Sequence, residues 1–185
     1  MSASLAVVRM MNALIRHLAF GLCATLFASA ALAELSSPIV GPGITLQEVG
    51  IYCRADAETT EPAPETTLGY IFLLEGIPEF AFKQRQVPAR LGISFGLVVT
   101  ADYDITGARI DTWRPGATKP DVWYSDFAAG VPRMRGFRFD FADELITGLW
   151  RMEAYDGDSL LYSVAFEVRP GSEMPGVTSD CNLLS

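Results

Sequence analysis

The residue type that constrains the chemistry most is the one almost missing. The chain has a single histidine, His17, and it falls in an apolar N-terminal stretch that reads as removable. The remaining chain then has no imidazole base for a Ser-His or Cys-His mechanism, and it lacks the commonest zinc, copper and iron ligand. A Ser-Lys pair would need Lys83 or Lys119, the only lysines, and neither stands in a Ser-x-x-Lys context. Carboxylates are what is left. Asp102 and Asp104, two apart at a strand end, could share a calcium ion with loop carbonyls, and Asp156 and Asp158 could do the same. Aspartates that bond their own backbone in turns are the simpler reading of both pairs. Asp140, Asp143 and Glu144 could supply a general acid and base, or be solvated charges at a strand end. The residue pattern assigns no catalytic residue, metal site or cofactor.

Aromatic residues offer binding rather than catalysis. Trp113, Trp123 and Tyr124 fall on the less regular strands, where exposed rings could stack on a sugar or anchor a protein, and Arg138 could join them. Buried packing is the plainer alternative. Arg133, Arg135, Arg138 and Arg151 could form a basic stripe on the outward face of neighbouring strands, or a solvated face balanced by Asp140 and Glu153.

The elements that must position these residues are strands. Phe137, Phe139 and Phe141 alternate with Arg138 and Asp140; Trp150, Met152 and Ala154 alternate with Arg151 and Glu153; Leu160, Tyr162, Val164, Phe166 and Val168 repeat the period. Arg135 to Val168 therefore reads as three consecutive antiparallel strands, the last two joined by a hairpin at Asp156-Gly157-Asp158-Ser159. Ile93, Phe95, Leu97 and Val99 mark a long strand whose small alternate residues invite close cover or an edge. A first strand, Ile44 to Arg54, changes phase near Gly50, which suggests a bulge. Tyr70 to Leu74, Phe80 to Arg85, Arg109 to Trp113 and Asp121 to Phe127 are shorter candidates, and Pro115-Gly116 favours a type II turn. Ala55 to Thr67 reads as a loop, Phe141 to Ile146 as room for one helical turn, and the tail after Val168 as irregular. Seven or eight short strands, roughly, without a helical period predict an all-β antiparallel sandwich.

Residues 1–33 carry Arg9 and Arg16 but no acid, then an apolar run Leu18–Leu32, then Ala31-Leu32-Ala33 as a small-x-small cleavage site. This predicts a cleaved signal peptide, since the run is short of the ~20 residues a membrane span needs. Removal leaves 152 of the 185 residues as a single domain, residues 34–185, with 12 basic against 22 acidic side chains and a formal charge of −10. Such a balance argues against nucleic acid and anionic membrane surfaces as partners, since both need a basic footprint. Cys23 leaves with the signal; Cys53 and Cys181 remain, and in an oxidising periplasmic or extracellular compartment they are expected to pair.

Gly50-Ile51-Tyr52, Gly69-Tyr70, Val87-Pro88-Ala89-Arg90-Leu91-Gly92, Gly136-Phe137-Arg138-Phe139-Asp140, Glu144-Leu145 and Gly148-Leu149-Trp150, in this order, resemble a bacterial family of secreted proteins, the domain of unknown function numbered 3859. The resemblance implies an immunoglobulin-like sandwich and transfers no activity, ligand or catalytic residue. It departs from the family pattern at Arg114-Pro115, where His-Pro is expected. The function expected is that of an exported, non-catalytic binding or interaction module, with an envelope protein or a glycan as partner. The alternatives are a carboxylate-dependent enzyme or calcium-dependent protein, and a structural accessory subunit of an envelope assembly.

Overall fold

The computed structural model describes residues 35–53 and 57–184, and residues 35–185 form one compact unit. The expected signal peptide, residues 1–33, lies outside the described residues, as do the last residue of the expected first strand, 54, and the start of the expected loop, 55–56. Eleven strands run in the order β1 (Ile39–Val40), β2 (Ile44–Tyr52), β3 (Ala57–Pro62), β4 (Tyr70–Leu74), β5 (Gln86–Ala89), β6 (Ser94–Ala101), β7 (Ile105–Trp113), β8 (Asp121–Phe127), β9 (Arg133–Arg138), β10 (Gly148–Asp156) and β11 (Ser159–Pro170), followed by helix α1 (Pro175–Leu184). The larger sheet has the order β1-β11-β10-β7-β8, with β5 also on β11; the smaller is β2-β6-β9; β3 and β4 form a separate hairpin. Every pairing is antiparallel except β5 with β11. Two sheets facing one another across a core make a β-sandwich, the architecture that immunoglobulin-like domains share.

The period-two residues make that core. From the smaller sheet Phe95 meets Trp150 and Phe166 of the larger one, with ring centroids 5.8 and 5.0 Å away, and Phe139 closes the cluster 5.5 Å from Phe95. All four are fully buried. The indole N–H of Trp150 donates to the Ile146 carbonyl at 2.8 Å, so burying this ring leaves no polar group stranded. At the β10–β11 hairpin Asp156 pairs with Ser159, and Gly157 has the positive φ of 56° that the tight turn requires. Gly116, with φ 76°, and the bond from the Ala117 N–H to the Arg114 carbonyl give the type II turn expected after Pro115.

Several expectations are corrected. Arg135 to Val168 is not one three-stranded meander, because β9 joins β6 in the smaller sheet while β10 and β11 belong to the larger. The segment between them, with a 3-10 turn at Ala142–Glu144, carries the chain across the sandwich. The register shift in β2 falls between Leu46 and Glu48 rather than at Gly50, which pairs with Gly96. Phe80 to Arg85 makes only an isolated bridge, Ile51 with Phe82, and the strand comes after it as β5. Residues 57–62 of the expected loop are strand β3, whose charged and threonine-rich sequence hides the signal because β4 alone is its sheet partner. The tail is helical: a 3-10 turn at Gly171–Glu173 leads into α1, which carries Cys181 to its disulfide with Cys53.

Strand β6 is central in its sheet and buried on both faces. Its small residues are covered rather than at an edge: Gly50, Gly96 and Gly136 stand side by side across β2, β6 and β9. A Cβ on Gly136 would strike the Tyr52 hydroxyl. This glycine row is a bare backbone floor, and Tyr52 lies over it beside Phe80, Val98, Leu74 and Met134.

Candidate ligand-binding cavity

Strand β8 ends the larger sheet and β9 ends the smaller, and no ladder joins them. The β3–β4 hairpin spans this open flank. The Val122 N–H donates to the Glu65 carbonyl at 3.1 Å, and the Asp121 carboxylate accepts from the N–H and hydroxyl of Thr67, both at 2.8 Å. At the other side the Arg138 guanidinium lies 4.9 Å from the ring centre of Phe72 in β4. Hairpin and sheet edges together line a half-open cavity of about 500 Å³, with Phe72 and Leu74 on the cover, Trp123 and Ser125 on the β8 wall and Arg135 and Phe137 on the β9 wall; it continues round β9 to Gly136, Ser94 and Tyr52.

The charges in the wall differ in how they are held. Arg114 reaches Asp121 at 2.6 Å, and Arg138 reaches Asp140 at 2.6 Å. Glu144, buried at the cavity wall, uses one carboxylate oxygen to accept the N–H groups of Asp140 and Phe141 at 2.7 and 3.0 Å, closing the 3-10 turn. Arg135 is different. It is 7% exposed, its two terminal nitrogens donate to the Met134 carbonyl at 2.8 Å and the Ser125 hydroxyl at 2.9 Å, and its Nε has no partner. The rings of Trp123 and Phe127 lie 5.1 and 4.7 Å from the guanidinium carbon. Burial pushes its pKa down.

The four residues expected to bind are split two and two. Trp123 and Arg138 line the cavity. Trp113 and Tyr124 sit on the outer face of the larger sheet: the Trp113 indole donates to Glu153 at 3.0 Å with Arg151 over its ring, and Tyr124 is 58% exposed. Glu153, nearly buried, also accepts from Tyr155 and Ser163, so this face is a bonded polar layer. Of the acidic pairs, Asp104 serves a loop, accepting from the Ala129 N–H at 2.7 Å. Among the described residues no three His, Cys, Asp or Glu side chains are gathered so as to hold a metal ion. Asp140 is paired with Arg138, whereas the second oxygen of Glu144 is buried without a hydrogen-bond partner.

The expected basic stripe does not form, because Arg151 is on β10 of the larger sheet while Arg133, Arg135 and Arg138 are on β9 of the smaller, and Arg135 does not face outward. It points to the inner face, opposite Leu97, rather than outward with Arg138. Its signal was present in the sequence: Arg135 is in phase with Phe137 and Phe139, the alternation that marks the buried face.

The family model for a domain of unknown function, DUF3859, matches residues 40–168, which run from the end of β1 into β11 and include both walls of the cavity. The chain belongs to this family. The DUF3859 match ends before α1, so the helix that carries Cys181 lies beyond it. No curated protein matches the chain. Among solved structures it is similar to an immunoglobulin-like protein from Pseudomonas aeruginosa, at 19% identity and a TM-score of 0.43, over 74% of this chain and 99% of that one.

Proposed function

We propose that this protein is an exported, non-catalytic binding module that holds a small ligand in the cavity between β8, β9 and the β3–β4 hairpin. The observation that carries the reading is the cavity itself. Its volume of about 500 Å³ falls in the range of small-molecule sites, and its wall combines apolar and aromatic surface with charged side chains from β8, β9 and the hairpin. A cover tied to the sheets at Glu65 and Thr67 and by the Phe72 contact, rather than through a ladder, suits a site that must open. Export rests on the signal-like residues 1–33 and on the Cys53–Cys181 bond, which fits an oxidising compartment. Among the described residues no helix is long and apolar enough to cross a membrane.

The test is a ligand screen read by thermal stabilisation of the purified protein, repeated on Ser125→Trp, which fills the cavity, and on Tyr124→Ala, which strips the outer face. Hits kept by Tyr124→Ala and lost by a folded Ser125→Trp support the reading. Hits with the opposite behaviour would move the site to the outer face.

A further inference from the structure

We infer that the ligand is a small organic acid, its carboxylate held by Arg135 and its apolar or aromatic body packed against Trp123, Phe137 and the hairpin's Phe72. The inference rests on the cavity being the ligand site and adds the chemistry of the occupant. Taking a guanidinium out of water is costly unless an anion and hydrogen bonds replace the solvent. Arg135 has two neutral acceptors, an Nε without a partner, and no carboxylate within ion-pair distance among the described residues. What sets it apart from the other cations on the wall is the missing carboxylate: Arg114, whose Nε is also without a partner, has Asp121, Arg138 has Asp140, and Arg133 is exposed.

The wall's carboxylates do not oppose the assignment. Asp121 and Asp140 are neutralised by their arginines and Glu61 stands exposed at the rim; Glu144 gives one oxygen to two backbone N–H groups, and its other oxygen, buried without a partner, makes its end of the wall the one an anion avoids. The rings of Trp123 and Phe127 hold the guanidinium from its sides. A planar fork fixed this way is suited to a carboxylate, which it can meet with parallel N–H···O bonds. The aromatic and aliphatic lining then selects acids with an apolar body over inorganic anions, which would leave that surface wet.

The experiment titrates the purified, disulfide-bonded protein by calorimetry with 3-phenylpropanoate and octanoate, and with the corresponding neutral amides. The acids are expected to bind about ten- to a hundredfold more tightly than the amides, as a charge-assisted hydrogen-bonded pair implies. In Arg135→Gln the gap should collapse while amide binding persists. If that variant does not fold, Ser125→Ala keeps the guanidinium but removes one of its two holding bonds, and it should weaken the acids alone. Equal binding of acid and amide by the wild type overturns the anion assignment and leaves the cavity reading standing. Failure of every probe to bind overturns both.

Discussion

Arg135 stands directly across the β6–β9 ladder from Leu97, a fully buried core residue, so a guanidinium occupies the face of the sheet that its neighbour gives to the core. The position is tolerable because β9 is an edge strand: the side chain leaves the core sideways, toward Ser125, and stops between the two sheets. The ligand-free protein keeps a buried charge without a counter-charge. Arg135→Met is therefore expected to raise ligand-free stability by about 1 kcal/mol despite losing two hydrogen bonds, measured by urea unfolding. A loss of about 3 kcal/mol or more would mean that the guanidinium is a structural strut.

Cys53 and Cys181 close a loop of 128 residues between the end of β2 and α1. Loop-closure entropy puts the bond at about 5 kcal/mol as an upper figure. Besides the bond, α1 is held by the Arg90 side chain on the Thr178 carbonyl and by Val177 against the core. Cys181→Ala is expected to cost about 2–5 kcal/mol and to raise amide exchange first in Pro175–Leu184, with β6, β10 and β11 still protected. Uniform loss of protection would contradict this order.

Tyr162 is fully buried, its hydroxyl has no hydrogen-bond partner, and burial pushes its pKa up. A stranded hydroxyl is a cost, so Tyr162→Phe should be neutral or stabilising by up to about 1 kcal/mol. Destabilisation by a similar amount would reveal a bridging water.

Asp111 is buried on the outer face opposite Glu153, with Arg109 as its ion-pair partner. Burial raises its pKa, outweighing Arg109, and the neighbouring Glu153 adds to the rise. The folded state then keeps a proton that the unfolded chain releases. This residue's contribution to stability therefore falls as pH rises from about 4, the unfolded carboxylate range, through the raised folded value. Unfolding free energies measured from pH 4 to 7 should decline less steeply in Asp111→Asn than in the wild type; parallel curves would contradict the assignment.

The long strands were legible in the sequence because burying one face imposes a period of two, as in Phe95-Leu97-Val99 and Trp150-Met152-Ala154. Which sheet each strand joins was not, since the crossing after β9 depends on a single 3-10 turn at Ala142–Glu144. Strand β3 was hidden because its ladder contacts are confined to β4 and its sequence reads as solvated loop. Of the candidate site, Trp123 and Arg138 were visible as residue types suited to binding. That they share a cavity, and that Arg135 lies between them and the core, depends on β8 and β9 ending their sheets on the same flank, a fact of topology that no local pattern encodes.

The most direct measurement is a crystal structure of the protein grown with 3-phenylpropanoate. The acid is expected inside the flank cavity, its carboxylate on the guanidinium of Arg135 and its ring beside Trp123. An acid bound instead on the outer face beside Tyr124, with the cavity filled by water and Arg135 unchanged, would contradict it.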